Sequence, residues 1–344
     1  MTSWTIPFAK LFNLSSGPSL PTNILFIAAF ETPFIRKDLD FLRSQYRVTP
    51  LIGHGLLQAF RILLAVPRHN VIFGWFASVY TSIGILCGKA FFKRTIVQLG
   101  GVDMAKEERI RYGIWTSRWK SAIVRTAIRN AHVVLAVDSS LMDEARIRSG
   151  YDGRNLACLP TGYNADVWTP SGPKDKRVLC VASAPTEARL AIKGVDILLT
   201  AAQMLPEVKF IVVGIGPDII QTMQGFPNVE VRGWVEQVEV LQLMRTSWVY
   251  CQPSRREGLP NALCEAMLCG CIPVATAVGG NPRAVGNAGL LVPPDDAQAL
   301  ANAIKTALSL SDEYSRMARE HVVKNFPTSK RNEGLKEFIE GRVG

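Results

Sequence analysis

Histidine is scarce in this chain, with four in 344 residues, and His54, His69, His132 and His321 share no spacing that would bring two of them onto one metal ion. Cysteine is odd in number, seven, and most of these residues lie in apolar runs, so a disulfide framework is excluded and buried free thiols in a reducing compartment are expected. Cys264, Cys269 and Cys271 cluster without a His or second Cys pair nearby, and no metal is assigned to them. No G-x4-G-K-[ST] occurs, which excludes a P-loop nucleotidase. The nearest approach to G-x-G-x-x-G is Gly214-x-Gly216, but Ile219 stands where the third glycine belongs. The strand after it ends on Arg232-Gly233 and not on an acidic residue, so nicotinamide binding is not expected. Gly214 and Gly216 read instead as a tight turn that lets a ligand approach the backbone. Membrane-length apolar runs are scarce too, and the candidate is the eighteen uncharged residues Val71 to Gly88. Gly74, Ser78, Gly84 and Gly88 interrupt this run, and it reads as a buried strand, a turn and a core-facing helix in place of a membrane span. Residues 1–20 carry one Lys and are broken by Pro7, Gly17 and Pro18, unlike a signal peptide, so a cytoplasmic protein is expected.

What is present is an ordinary globular composition, 48% hydrophobic and 20% charged, long enough for two domains. Net charge is +10, unevenly held: residues 1–175 have 21 Lys/Arg against 12 Asp/Glu, and the remainder 18 against 17. The basic half is expected to meet something anionic. Short apolar runs alternate with amphipathic stretches, the rhythm of parallel α/β units. Strands are read at 24–30, 46–52, 70–75, 95–99 and 132–137, then at 177–183, 209–214, 229–233, 248–252 and 272–276. Helices are read at 36–44, 78–92, 117–130, 193–205, 236–246, 258–269 and 296–309, with a polar helical tail over 312–340. Pro, Gly, Asn and Thr crowd residues 159–174, the best domain boundary. Two doubly wound, Rossmann-like domains facing across a cleft follow from this, over 1–165 and 166–327, with ligands at the carboxyl ends of the strands.

The stretch Pro253 to Gly280 is the most informative. It leaves a buried strand, turns through Ser254–Glu257 and enters a helix at Gly258 or Leu259, with Pro260 in the first turn. Glu257 and Glu265 stand eight residues apart, so both can face one cleft at different depths. Backbone N–H groups at Gly258, Leu259 and Asn261 read as a diphosphate site at a helix N-terminus. The succession Pro253-Ser254, Glu257-Gly258, Pro260, Leu263, Glu265-Ala266-Met267, Gly270, Pro273-Val274 and Gly279-Gly280 resembles the E-x7-E region of retaining glycosyltransferases of GT-B fold, family 4 in particular. The stretch 289–304, the Lys193-Gly194-Val195-Asp196 block and the interdomain LPTGYNADVWTP are similar to that family as well. The likeness covers about 155–325 and is weaker before.

The resemblance implies transfer of a hexose from a nucleotide diphosphate sugar, with retention and without metal or other cofactor. It implies that Glu257 holds donor hexose hydroxyls, Glu265 the ribose, and Lys193 with a nearby arginine the diphosphate. The family's arginine follows the first strand of the second domain in a Gly-Arg pair, where this chain has Ser183-Ala184-Pro185, so Arg189 is taken by proximity. The base would rest beside Arg232, Gly233 and Trp234. A C-terminal helix over 328–344 is implied to cross back onto the first domain.

The acceptor half departs from the family: Ala28-Ala29-Phe30 replaces a Gly-Gly loop, and the family histidine is absent. Arg36 and Lys37 at a helix start, His54 at a strand end and Asp103 at another are the acceptor candidates. The acceptor is expected to be a glycan or lipid-linked molecule. Seven Lys and Arg between 106 and 129, with Trp115 and Trp119 among them, suit the anionic surface of a membrane met peripherally, or a solvated helix face. No nucleic-acid recognition motif is found. A non-catalytic nucleotide-sugar-binding or partner subunit on the same scaffold stays open as the alternative.

Overall fold

In the computed structural model, the first unit is a parallel sheet of six strands: β1 (Asn23–Ala28), β2 (Arg47–Ile52), β3 (Val71–Trp75), β4 (Arg94–Leu99), β5 (Val133–Ala136) and β6 (Leu156–Cys158), in the order β2-β1-β3-β4-β5-β6. The second holds β7 (Asp175–Ala184), β8 (Lys209–Ile215), β9 (Val229–Arg232), β10 (Ser247–Gln252), β11 (Ile272–Thr276) and β12 (Leu290–Val292), in the order β12-β11-β10-β7-β8-β9. The structure describes residues 22–342 apart from 111 and 224, and the side chains of 109 and 222 are likewise left aside. The N-terminal stretch read as unlike a signal peptide, Arg111 and the Arg109 side chain therefore lie outside the described residues.

Central strands such as β1, β3, β10 and β11 are buried on both faces, which is why they read as unbroken apolar runs and not as alternating ones. The chain order reverses between β1 and β3 in one sheet and between β7 and β10 in the other, so each unit opens a crevice at the carboxyl ends of those strands. Val71–Gly88 is β3, a turn in which Ser78 Oγ accepts from the Thr81 N–H, and the start of the helix Val79–Ala90. Among the described residues no helix is long and apolar enough to cross a membrane.

Local punctuation moved several boundaries. The helix expected over 193–205 is two, Glu187–Lys193 and Val195–Gln203, divided at Gly194 in the left-handed region. The tail is likewise two, Asp312–Asn325 and Thr328–Glu340, divided at Pro327, which cannot donate to the preceding turn. The helices Leu56–Ala65 and Ser139–Ser149 were not read from the sequence, nor were the three-residue strands β6 and β12.

The chain crosses between the units twice, and the crossings run together. Tyr163 N–H donates to the Phe326 carbonyl (2.9 Å) and Thr328 N–H to the Tyr163 carbonyl (3.2 Å). Trp168 is buried, and Arg319 donates to the carbonyls of Ala165 (2.9 Å) and Trp168 (2.8 Å), so the linker is packed and not loose. Thr328–Glu340 then lies on the first unit. Arg331 Nη2 donates to Asp38 Oδ2 (2.6 Å), its Nε to Oδ1 (3.2 Å), and its Nη1 to the Leu159 carbonyl (2.7 Å). Trp75 Nε1 donates to the same Asp38 Oδ2 (2.7 Å). Both charged side chains are buried.

Removing one member of a buried pair leaves the other charge uncompensated, at a cost of about 3–5 kcal/mol. Arg331→Ala should lower the urea unfolding midpoint accordingly, and the double change Asp38→Ala with Arg331→Met should recover much of the loss. Equal stability of wild type and Arg331→Ala would show that the clamp contributes nothing.

Candidate functional site

The two crevices face each other, and between them lies a cavity of about 440 Å³. The first unit contributes Phe30, Phe34, Phe76, the Gly100–Val102 loop and Tyr112; the second contributes Val181–Ser183, Arg189, Lys193 and the loop from Arg256 to Ala262.

Glu257 is the focus of the second wall. Its Oε1 accepts from Lys193 Nζ (2.5 Å), Ser254 Oγ (2.7 Å) and Gln252 Nε2 (2.8 Å). Gln252 ends β10 and Ser254 opens the turn beyond it, so the strand itself positions two of the three donors. The third comes from the last residue of a helix, and the residue after it explains how the two segments close up. Gly194 has φ +63°, and a Cβ there would lie 2.0 Å from the Pro253 carbonyl oxygen. Asp196 completes the latch by a two-pronged pairing with Arg255, at 2.6 and 2.8 Å. Lys193-Gly194-x-Asp196 thus ties the turn 253–257 down through side chain, backbone and ion pair in succession.

The helix after the turn begins at Asn261, with Pro260 as its N-cap, and not at Gly258 or Leu259. Its free first-turn donors are therefore the N–H groups of Asn261, Ala262 and Leu263. Asn261 Oδ1 accepts from Tyr163 Oη (2.9 Å) and Thr161 Oγ1 (3.1 Å), tying the helix start to the linker. Gly258 meets the first unit backbone to backbone: a Cβ on it would stand 2.3 Å from the Gly100 carbonyl oxygen. Glu265 lies outside the cavity lining, with Lys37 Nζ of the first unit 3.7 Å from its Oε1. Burial pushes its carboxyl up to about 7, and Lys37 only partly offsets this.

Comparison with known proteins bears on this geometry. Residues 175–309 match the family described as "Glycosyl transferases group 1". That stretch contains the whole second sheet and the turn that holds Glu257. The fold is GT-B. A structure of Anabaena Alr3699/HepE in complex with UDP-glucose superposes with a TM-score of 0.74 at 18% identity, covering 93% of this chain and 100% of that one. Alpha-maltose-1-phosphate synthase of Mycolicibacterium smegmatis is 28% identical over 255 residues, 64% of this chain and 65% of the relative. A putative teichuronic acid biosynthesis glycosyltransferase of Bacillus subtilis, TuaC, is 30% identical over 191 residues, 52% of this chain and 48% of the relative. The chain thus spans between about half and two thirds of the length of these curated relatives.

Within this GT-B frame the other sequence-read residues divide. Arg189 lines the cavity and donates through Nη1 to Tyr112 Oη (2.7 Å), its guanidinium over the Tyr112 ring. Gly214 and Gly216 pack on Ser183–Pro185, where Ser183 itself takes φ +48°, a left-handed conformation. Arg232 is outside the cavity, paired with Glu230 (2.7 Å) and Glu239 (2.9 Å), and Trp234 is exposed.

Of the acceptor candidates, Asp103 needs correction. Asp103 is buried, and its oxygens accept from the backbone N–H groups of Ala77 (3.0 Å), Gly100 (3.2 Å) and Gly101 (2.8 Å). It organises the cavity loop and has no free face for a sugar hydroxyl. Arg36 pairs with Glu31, Lys37 with Glu265, and His54 is exposed at the end of β2. The first unit's wall is aromatic instead: Phe30 stacks on Phe76 at 5.2 Å, and Phe34 stands edge-on to Phe76 at 6.1 Å. Arg256, missed in the sequence, reaches across to Glu144 and to the Gly101 carbonyl (3.3 Å). Its neighbour Arg255 turns away, and nothing in an Arg-Arg pair says which one crosses.

Glu265 holds its proton more tightly folded, at about 7, than an unperturbed carboxyl does at ~4.3. Its contribution to stability is therefore complete at acid pH and is lost as pH rises through about 7. Unliganded wild type should lose stability relative to Glu265→Gln between pH 5 and 8, followed by thermal melts at each pH. A difference that does not change with pH would place the carboxyl in solvent.

Proposed function

We propose that the chain transfers a hexose from a nucleotide diphosphate sugar to a glycan or lipid-linked acceptor, with retention of anomeric configuration and without a metal, as a family 4-type enzyme. One observation carries the reading: one cavity between two facing switch points holds a carboxylate fixed by three donors, Lys193 among them, with Arg189 and the start of a helix beside it. Relatives and neighbours named as glycosyltransferases or seen with UDP-glucose support it.

In this reading the diphosphate takes the first-turn N–H groups at Asn261–Leu263 and the loop at Gly258–Leu259, with Lys193 and Arg189 balancing the charge that develops on the departing phosphate. All three donors to Glu257 converge on Oε1, and Oε2 is left for donor hexose hydroxyls. Glu265 accepts from the ribose, and the base lies toward Gly214, Gly216, Arg232 and Trp234. The bond from sugar C1 to the phosphate oxygen breaks, the acceptor oxygen bonds to C1 on the same face, and the acceptor proton passes to the departing phosphate. The chain's own part is to position the sugar and stabilise the diphosphate. The acceptor meets the aromatic wall of Phe30, Phe34 and Phe76, and the work is done peripherally at the cytoplasmic face of a membrane.

Glu257→Gln should leave donor binding largely intact while turnover falls about 10²-fold. Lys193→Ala should weaken diphosphate binding and slow transfer together, and Glu265→Ala should weaken UDP or GDP binding by about 1–3 kcal/mol. Unchanged binding by both of these variants, measured calorimetrically, would move the donor elsewhere.

Transfer should persist in excess EDTA, and the product's anomeric proton should keep the donor's configuration by NMR. Donor hydrolysis without acceptor separates an enzyme from a binding subunit: turnover to water is expected here, and its absence across nucleotide sugars that bind would favour the subunit.

A further inference from the structure

The helix Leu56–Ala65 has its apolar face outward. Its buried residues are Gln58 and Ile62, whereas Leu56 (92% exposed), Leu57, Phe60, Leu63 and Leu64 all face away from the core. At about 100° per residue these five fall within one arc of ~120°, a contiguous stripe and not scattered single residues. The helix Val79–Ala90 packs beside it, and in the turn that follows Phe91 and Phe92 are exposed, Phe92 at 96% and with φ +54°.

The segment of chain that carries this face has charge of one sign. From residue 41 to residue 102 there is no Asp or Glu, and there are seven Lys or Arg. Of these Arg61, Arg68 and Lys89 are exposed around the stripe. An apolar stripe on a segment that carries basic and no acidic residues suits a bilayer interface with anionic headgroups. A second copy docked by the same face would set those cations against their own counterparts.

We propose that the helix Leu56–Ala65, with Phe91 and Phe92, is the surface by which this chain docks on an anionic lipid bilayer, its apolar side chains at the boundary of headgroups and acyl chains. The surface starts at Gly55, whose N–H donates to Tyr80 Oη (2.8 Å), just beyond the carboxyl end of β2. That is the end of the sheet from which Phe30 and Phe76 reach the cavity, while Phe91 and Phe92 precede β4 at the opposite end, so the docked helix lies along the membrane with the cavity at one end of it. This deepens the membrane-side part of the proposed function and rests on it for its purpose, although lipid binding itself needs no glycosyl transfer.

The basic helix Arg118–Asn130 is the other candidate surface, but part of its charge is spent within the fold. Arg129 donates to the carbonyls of Ser149 (2.7 Å) and Gly150 (2.7 Å), and Arg125 to that of Arg148 (3.3 Å), where the neighbouring helix ends.

The full chain should co-sediment with vesicles of phosphatidylglycerol and phosphatidylcholine and far less with phosphatidylcholine alone. The exposed triple variant L57S/F60S/L64S should lower that partitioning by at least about tenfold while keeping its melting temperature and its UDP affinity. The quadruple variant R118Q/K120Q/R125Q/R129Q should retain most of it. A tryptophan placed by Leu63→Trp should shift its emission to the blue on anionic vesicles. Wild type that ignores anionic vesicles at low salt, or a triple variant that binds as wild type does, overturns the proposal. So does a wild-type dimer that the triple variant converts to a monomer, since the face would then belong to a second copy. UDP affinity, read on the same preparations, tests the donor site separately.

Discussion

A parallel sheet presents its crevice only at one end, so two such sheets make one site only if their carboxyl ends are held face to face. In this chain the hold is set where the backbone crosses twice: Tyr163 bonds to the returning chain at Phe326 and Thr328, and Arg331 carries the last helix onto buried Asp38. Farther out, the units touch through Lys37 on Glu265, Arg256 on Glu144 and Arg189 on Tyr112. These outer pairs are partly solvated and weak individually, whereas the crossing is buried and costly to break. The stiff contacts therefore sit at the crossing and the exchangeable ones at the cavity mouth.

Two glutamates eight residues apart end in opposite environments. Glu257 is drawn onto a cation and two neutral donors by the end of β10 and by the Lys193 helix. Glu265 sits on the helix beyond, largely but not fully covered, with Lys37 at 3.7 Å, and burial dominates there. Spacing brings the pair to one side of the fold; the surroundings give each its own electrostatic character.

The positive charge of the first half is divided in a comparable way. Some of it closes helix ends, as Arg125 and Arg129 do, and some neutralises a carboxylate across the cleft, as Lys37 does. What is left over clusters around an outward-facing apolar helix. Net charge alone pointed to the half of the molecule, while the folded surface points to the element.

The sequence by itself determined the doubly wound architecture, the approximate positions of ten of its strands and the Glu257–Lys193 neighbourhood. These were legible because buried parallel strands must be continuous apolar runs and because the turn after β10 uses residue types that few other geometries need. Three-residue strands and a helix with its apolar face to solvent escaped, since the first are too short to show a period and the second inverts the usual one. Only the tertiary structure decided that Asp103 serves its own loop, that Lys37 answers Glu265, that Arg256 and not Arg255 crosses the cleft, and that the helix starts at Asn261. Each of these depends on which groups from distant segments arrive within about 3–4 Å of one another, the range over which hydrogen bonds and ion pairs act. Periodicity along one chain carries no information at that range.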